Sequence, residues 1–344
     1  MKKCNVLAID LAKNILQVCK ISKHGELVIN KAMTPNKVKT LLANSSPCIV
    51  ALEGCGSCHF WGRFAKQFGH DVRIISPKKV KAFVQGQKTD ANDALGIALA
   101  ATQPGMIYSS VKEEDQQMLQ TLETSRKLLS KELTALSNHI RAYLYEYGIT
   151  SNKGRKSLTL AVSGVLDGMD TRLPACLKST LALCWARYQS TIEQLNNIEI
   201  AKAALAKQIE PCQRLLALES VGPVCASMLY ACIGDGKDFK NGRDTSVYVG
   251  LTPKQHSSGG KVCMLGIGKH KGNKELKAAL FQGAMSVISR LPEEPKTAKQ
   301  AWLLALVKRA GVKRACIALA NKTVRTAWAL LATGEHYKPL SFAG

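Results

Sequence analysis

The chain has 344 residues, enough for two or three domains and a substantial core. Apolar residues make up 46 % of it, which excludes a disordered chain, and no unbroken apolar stretch is long enough to span a bilayer. The 48 Lys and Arg against 25 Asp and Glu leave a formal charge of +23, which suits a polyanion such as DNA or RNA, although a merely basic protein carries such a charge too.

Met1-Lys2-Lys3 leads into an apolar run, but Asp10 and Lys13 interrupt it too early for a secretory signal. A cytoplasmic protein with no membrane partner is expected. Residues 5–10 read as a buried strand ending in an acid. Residues 15–21 form a second strand, and His24-Gly25 turns the chain into a third over 26–32. A helix follows Pro35. The strand over 48–53 is again apolar until it ends in an acid, Glu53. A helix over 61–68 and a fifth strand over 72–75 follow. Apolar runs of this kind belong to a sheet covered on both faces. A three-stranded meander followed by alternating helices and strands is an α/β layout. The 12 cysteines, scattered through apolar stretches, read as small buried hydrophobes in a reducing compartment. Cys55-Gly56-Ser57-Cys58 has metal-ligand spacing but no second pair, and reads as packing.

Lys88-Thr89-Asp90-Ala91-Asn92-Asp93 opens a helical pattern that runs on apolar through residue 101. Acids three apart share one helix face. The helix dipole eases their charge slightly. Acids favour the first turn of any helix, which is the ordinary explanation of the pair. Taken alone, the pair is better explained that way; that Asp10 and Glu53 also end apolar strands makes coincidence less attractive and a divalent cation the alternative. Four carboxylates suit hard cations, and could hold two Mg2+ ions about 4 Å apart for displacement at phosphorus.

Met118, Leu119, Leu122, Leu128, Leu129, Leu133 and Leu136 recur at helical spacing, so one long helix reaches about residue 147. Residues 152–156 break it. A second helical group holds Leu181, Trp185 and Tyr188, and a third runs from 192 to 209. Such helices pack on each other or on another subunit.

Residues 215–226 resemble a helix-hairpin-helix, with Ser220 where the first glycine is expected. That turn can offer backbone N–H groups to a phosphate, or simply connect two helices. Pro253 then leads into Ser257-Ser258-Gly259-Gly260, amid Lys254, His256, Lys261, Lys269, His270, Lys271 and Lys274. A hydroxyl among cations can attack a phosphodiester. A polar, phosphate-touching loop is the plainer reading. The helices over 278–331 carry apolar stripes interleaved with Lys308, Arg309, Lys313, Arg314, Lys322 and Arg325, and the tail after Gly334 is expected to be loosely held.

Ala8-Ile9-Asp10-Leu11-Ala12-Lys13-Asn14, Leu52-Glu53-Gly54-Cys55-Gly56 and Lys88-Thr89-Asp90-Ala91-Asn92-Asp93-Ala94 resemble three blocks of the DEDD transposases of bacterial insertion sequences, relatives of the pilin-gene invertases. Gly250-Leu251-Thr252-Pro253, Ser258-Gly259-Gly260-Lys261 and Lys271-Gly272-Asn273 are similar to later blocks of the same family, in the same order. The resemblance implies a RuvC-like, ribonuclease-H-like α/β domain over 1–110. A helical coiled-coil spacer over 111–210 and a mainly α transposase domain over 211–344 would follow. It implies that Asp10, Glu53, Asp90 and Asp93 bind Mg2+, or Mn2+ in its place, and that Ser258, with Ser257 ranked second, is the nucleophile. Lys277 stands where the family often has arginine, keeping the charge without the bidentate fork. Lys13, Lys88, Lys254, Lys261, Lys269 and Lys271 are then candidate nucleic-acid contacts.

The expected partners are the DNA of element ends and target, a structured guide RNA, and further copies of the chain in a dimer or tetramer. A metal-dependent nuclease or junction resolvase that uses water would need the acids but not Ser258. A non-catalytic nucleic-acid-binding protein would need neither. An actin-like ATPase would need a second Gly-rich phosphate loop, which the sequence lacks.

Overall fold

The computed structural model describes residues 5–268 and 272–338. The chain divides into two compact units, one up to Glu114 and one from Asp115 onward.

The first unit is a five-stranded mixed sheet with helices on both faces. Its elements are β1 (Val6–Asp10), β2 (Leu16–Ile21), β3 (Leu27–Met33), α1 (Pro35–Asn44), β4 (Ile49–Glu53), α2 (Cys58–Gln67), β5 (Asp71–Ile75), α3 (Pro77–Val80) and α4 (Asp90–Thr102). The strand order is β3-β2-β1-β4-β5. The first three strands form the antiparallel meander, whereas β1, β4 and β5 run parallel. Alternation along the strands divides the core. Leu7, Ile9, Val50 and Leu52 face α1 and α2, packing on Val38, Leu42, Trp61 and Ala65. Val6, Ala8, Cys19 and Ala51 face α4, packing on Ala94, Ile97, Ala98 and Ala101. This double coverage explains the unbroken apolar runs of β1 and β4. The edge strand β3 is the most exposed one, with Leu27 and Val28 open to solvent. Cys58 is buried in the core, as the packing reading expects, and Cys55 is exposed.

The second unit is nearly all helix: α5 (Glu114–Tyr145), α6 (Arg155–Leu166), α7 (Ala175–Gln208), α8 (Glu210–Leu216), α9 (Pro223–Ile233), α10 (Gly242–Val249), then β6 (Lys254–Ser258) and β7 (Lys261–Leu265), and α11 (Lys274–Ile288), α12 (Ala298–Ala310) and α13 (Val312–Thr333). The two helical groups expected on either side of residue 190 are one continuous helix, α7, and α6 was not foreseen. Leu181, Trp185 and Tyr188 of α7 pack with Ile140 and Leu144 of α5 and Leu158 and Val162 of α6. Farther along α7, Lys202 is 1 % exposed and bonds to Glu123 of α5. Helices α8, α9, α11 and α13 enclose the largest core. The segment after Gly334 is not loose throughout, because Tyr337 packs against that core.

Candidate active site

The register brings Asp10 and Glu53 together. Strands β1 and β4 are parallel, with Ile9 opposite Leu52, so their terminal acids lie side by side at one end of the sheet. Asp10 continues the Val6 and Ala8 side of β1, and Glu53 continues the Ala51 side of β4. Both acids therefore point to the face that α4 covers. The ends of parallel strands are where open α/β sheets bind ligands.

Helix α4 begins on that face. Thr89 caps it, its hydroxyl accepting from the Asn92 N–H at 3.2 Å, and Asn92 Nδ2 donates to the Gln87 carbonyl at 2.7 Å. The cap fixes where the first turn starts, and that turn carries Asp90 and Asp93. Burial, together with the charges of Asp93, Glu53 and Asp90, raises the Asp10 carboxyl to about 6. Burial and Asp93 also raise Glu53. The fold has thus gathered all four predicted acids into one field, with none in an ion pair among the described residues.

Clustered hard oxygen donors that lack a basic partner have the chemistry of a divalent-cation site. They stand within electrostatic reach rather than at coordination distance. Among the described residues, no three His, Cys, Asp or Glu side chains gather closely enough to hold one ion. Lys13 and Lys88, both exposed, stand in the loop after β1 and just before α4.

In the second unit the serine segment is a β-hairpin rather than a loop. Ser258 pairs with Lys261, His256 with Cys263 and Lys254 with Leu265. Gly259 and Gly260 make the turn, with φ of 54° and 77°. Two consecutive positive φ values are what a tight two-residue hairpin turn demands, and glycine supplies them without strain. Cross-strand partners share a face, so Ser258 has Lys261, His256 and Lys254, with Cys263 and Leu265, on its side. Ser257 shares the other side with Gln255, Val262 and Met264. The Ser257 hydroxyl accepts from Gln255 Nε2 at 2.8 Å, whereas among the described residues the Ser258 hydroxyl has no bonding partner. Lys269 and Lys271 lie outside the described residues.

Residues outside the sequence motifs brace the hairpin's base. Asn321 of α13 donates from Nδ2 to the Leu251 carbonyl at 3.1 Å, and its own carbonyl accepts from Ser246 Oγ at 3.4 Å. Lys277, in place of the family's arginine, donates to the Gly268 carbonyl at 3.1 Å. No sequence signal marks Asn321, on a helix that reads as apolar stripes interleaved with basic residues.

The helix-hairpin-helix-like turn is an internal connection. Ser220 is 5 % exposed, its hydroxyl bonds with Thr323 at 2.8 Å, and a Cβ at Gly283 would fall 2.1 Å from the Ser220 carbonyl.

Comparison with known proteins adds the rest. A profile of the DEDD transposase domain of the IS110 type matches residues 7–149, and one of the IS116/IS110/IS902 transposase family matches residues 212–300. The chain is 35 % identical to a probable family 20 transposase of Pseudomonas aeruginosa, over 97 % of this chain and 98 % of that protein. It is also 35 % identical to the transposase of insertion sequence element IS1111A of Coxiella burnetii, over 98 % and 92 % of the two chains. A pilin gene-inverting protein of Moraxella bovis is 22 % identical over 88 % and 92 %. The carboxylate-bearing mixed sheet and the matches at both ends of the chain define a transposase, an enzyme that cleaves DNA and transfers strands. Within that class, the chain belongs to the IS116/IS110/IS902 family of insertion-sequence transposases. Among the described residues, no helix is long and apolar enough to cross a membrane.

Proposed function

We propose that this transposase moves its insertion sequence through a covalent serine–DNA intermediate, with Ser258 as nucleophile. The observation that carries the reading is the face of the hairpin. Ser258 lies on the side that carries Lys261, His256 and Lys254, with Cys263 and Leu265, and among the described residues its hydroxyl has no bonding partner, whereas the Ser257 hydroxyl already accepts from Gln255. The cations hold the phosphate and offset the charge that builds on its oxygens.

In the cleavage step the Ser258 oxygen attacks phosphorus and gives up its proton. The bond from phosphorus to one deoxyribose oxygen breaks, and that oxygen takes up a proton and leaves as a hydroxyl. The serine ester keeps the phosphodiester's bond energy. A hydroxyl of the second strand then attacks the same phosphorus and releases Ser258, so exchange needs no nucleotide triphosphate.

The first unit is read as a ribonuclease-H-like domain. Strand order, the meander, and acids at adjacent ends of β1 and β4 support this. Asp10, Glu53, Asp90 and Asp93 would hold Mg2+, or Mn2+ in its place. The bound ion would supply Lewis-acid polarisation of the scissile phosphate. The carboxylates must move from electrostatic reach to coordination distance, and the mutual repulsion that raises Asp10 favours their taking up a cation.

The net charge of +23 supports binding of element-end and target DNA together with a structured guide RNA, mostly through phosphates. Lys13, Lys88, Lys254 and Lys261 would make such contacts, with Lys269 and Lys271 as further candidates. A dimer or tetramer is the proposed working form.

The test uses purified protein, supercoiled DNA carrying the element junction, the adjacent transcribed RNA and Mg2+. Asp10→Asn should abolish strand cleavage while leaving salt-sensitive DNA binding within about twofold, since it removes no phosphate-neutralising cation. Cleavage by Asp10→Asn at the wild-type rate would overturn the metal assignment. Cleavage by Ser258→Ala would mark a nuclease that uses water.

A further inference from the structure

A pair of amides outside every recognised motif ties the sheet to the helix that carries Asp90 and Asp93. Gln17 is the cross-strand partner of Asp10, and Asn30 is the partner of Cys19, so both amides lie on the face covered by α4. Gln17 Nε2 donates to Asn30 Oδ1 at 2.8 Å. Asn30 Nδ2 donates to the Ala91 carbonyl at 2.9 Å, within the first turn of α4 and between the two acids. At the far end of the same helix, Arg73 of β5 donates to the Ala101 carbonyl at 2.8 Å. The helix is pinned to the sheet at both ends.

Half-buried amides facing an apolar helix are costly unless bonded, and a leucine of similar size would pack there as well. The bonds, rather than the packing, account for amides at these places. The carbonyl that Asn30 holds stands one residue from Asp90 and two from Asp93. Asp93 is also the charge that acts on both Asp10 and Glu53.

We propose that Asn30, oriented by Gln17, is a positioning residue that sets the first turn of α4 against the ends of β1 and β4, and so sets the separation of the four carboxylates. This rests on the reading of those acids as a cation site. Without the bridge the helix is held at its Arg73 end and by its core face, and the first turn can swing. The divalent cation then meets a wider, less convergent set of donors.

The experiment is an electron paramagnetic resonance titration of full-length protein with Mn2+, accompanied by thermal unfolding. In Asn30→Leu, Mn2+ affinity should fall about tenfold or more, as is usual when a group that orients metal ligands is removed, with the unfolding transition intact. Asp10→Asn should remove the site itself. Wild-type affinity in Asn30→Leu, with Asp10→Asn inactive in binding, overturns the bridge alone. Equal Mn2+ binding by wild type and Asp10→Asn overturns the cation-site reading and the bridge with it. If Asn30→Leu does not fold, Gln17→Leu takes its place, because it frees the Asn30 amide to rotate while leaving its donor. A smaller weakening of the same sign supports the bridge, and unchanged affinity overturns it.

Discussion

Ser258 and Lys261 face each other across the β6–β7 pair and are joined by Gly259 and Gly260 alone. In the proposed mechanism the turn would set how the hydroxyl and the ammonium meet a phosphate. A side chain in the left-handed region costs about 1–2 kcal/mol, so Gly260→Val should splay the hairpin. None of the residues of β6 or β7 belongs to a core cluster among the described residues. The expected outcome for Gly260→Val is an unchanged unfolding transition, with strand transfer reduced about tenfold or more if the displaced Ser258 hydroxyl is the proposed nucleophile. Strand transfer at the wild-type rate would show that the turn does not set the serine's position.

The acid cluster makes a prediction about pH. Burial, together with the charges of Asp93, Glu53 and Asp90, raises Asp10 from 3.8 to about 6 in the folded protein. A raised carboxyl contributes stability that is fully present below 3.8 and is lost as pH rises through about 6. A divalent cation bound there, as proposed, would replace the proton in offsetting the repulsion. Mg2+ should therefore raise the unfolding temperature at pH 8 and have little effect at pH 5, as read by calorimetry. Asp10→Asn should remove the difference.

The second unit contains a buried ion pair whose loss should be costly. Lys202, 1 % exposed, bonds to Glu123, which also accepts from Arg126 at 2.8 Å. Burial pushes the Glu123 carboxyl up, but its bonds to Arg126 and Lys202 outweigh that and hold it below the usual range. A depressed carboxyl stabilises the fold above its ordinary pKa, and that stability is lost as pH falls through the depressed value. Lys202→Met leaves Glu123 buried with one cation fewer and should cost about 3–5 kcal/mol in urea unfolding. Lys202→Met combined with Glu123→Leu should recover a large part of the loss. A double variant as unstable as the single one would mean that packing, not charge, holds α5 to α7.

The Ser220 turn should matter to stability and not to DNA. Ser220→Ala strands the Thr323 hydroxyl and is expected to cost about 1 kcal/mol. DNA affinity, measured by gel shift over a range of salt, should not change. A weakened, less salt-dependent complex would instead make that turn a phosphate contact.

The parts of the site legible in the sequence were those with a one-dimensional signature. Strands β1 and β4 are apolar until an acid ends each, and Thr89 marks the start of α4 four residues before Asp93. The unbroken length of α7 was not legible. Its apolar face changes partners, Trp185 and Tyr188 packing on α5 and α6 while Ala206 joins the core around α9, so the stripe drifts and reads as two helices. The hairpin around Ser258 reads as a loop in the sequence because it is exposed on both faces, which leaves no alternation to follow. The amide bridge through Asn30 joins residues 61 apart in sequence. Only the folded sheet brings Gln17, Asn30 and Ala91 into line.

The account depends on DNA becoming covalently attached to one hydroxyl. The most direct measurement digests the DNA and protein of a stopped cleavage reaction and locates the nucleotide-bearing peptide by mass spectrometry. The account predicts a phosphoserine–nucleotide at Ser258 in the wild type, and none in Asp10→Asn or when Mg2+ is chelated. A nucleotide on any other residue, or strand cleavage that leaves no adduct, would contradict it.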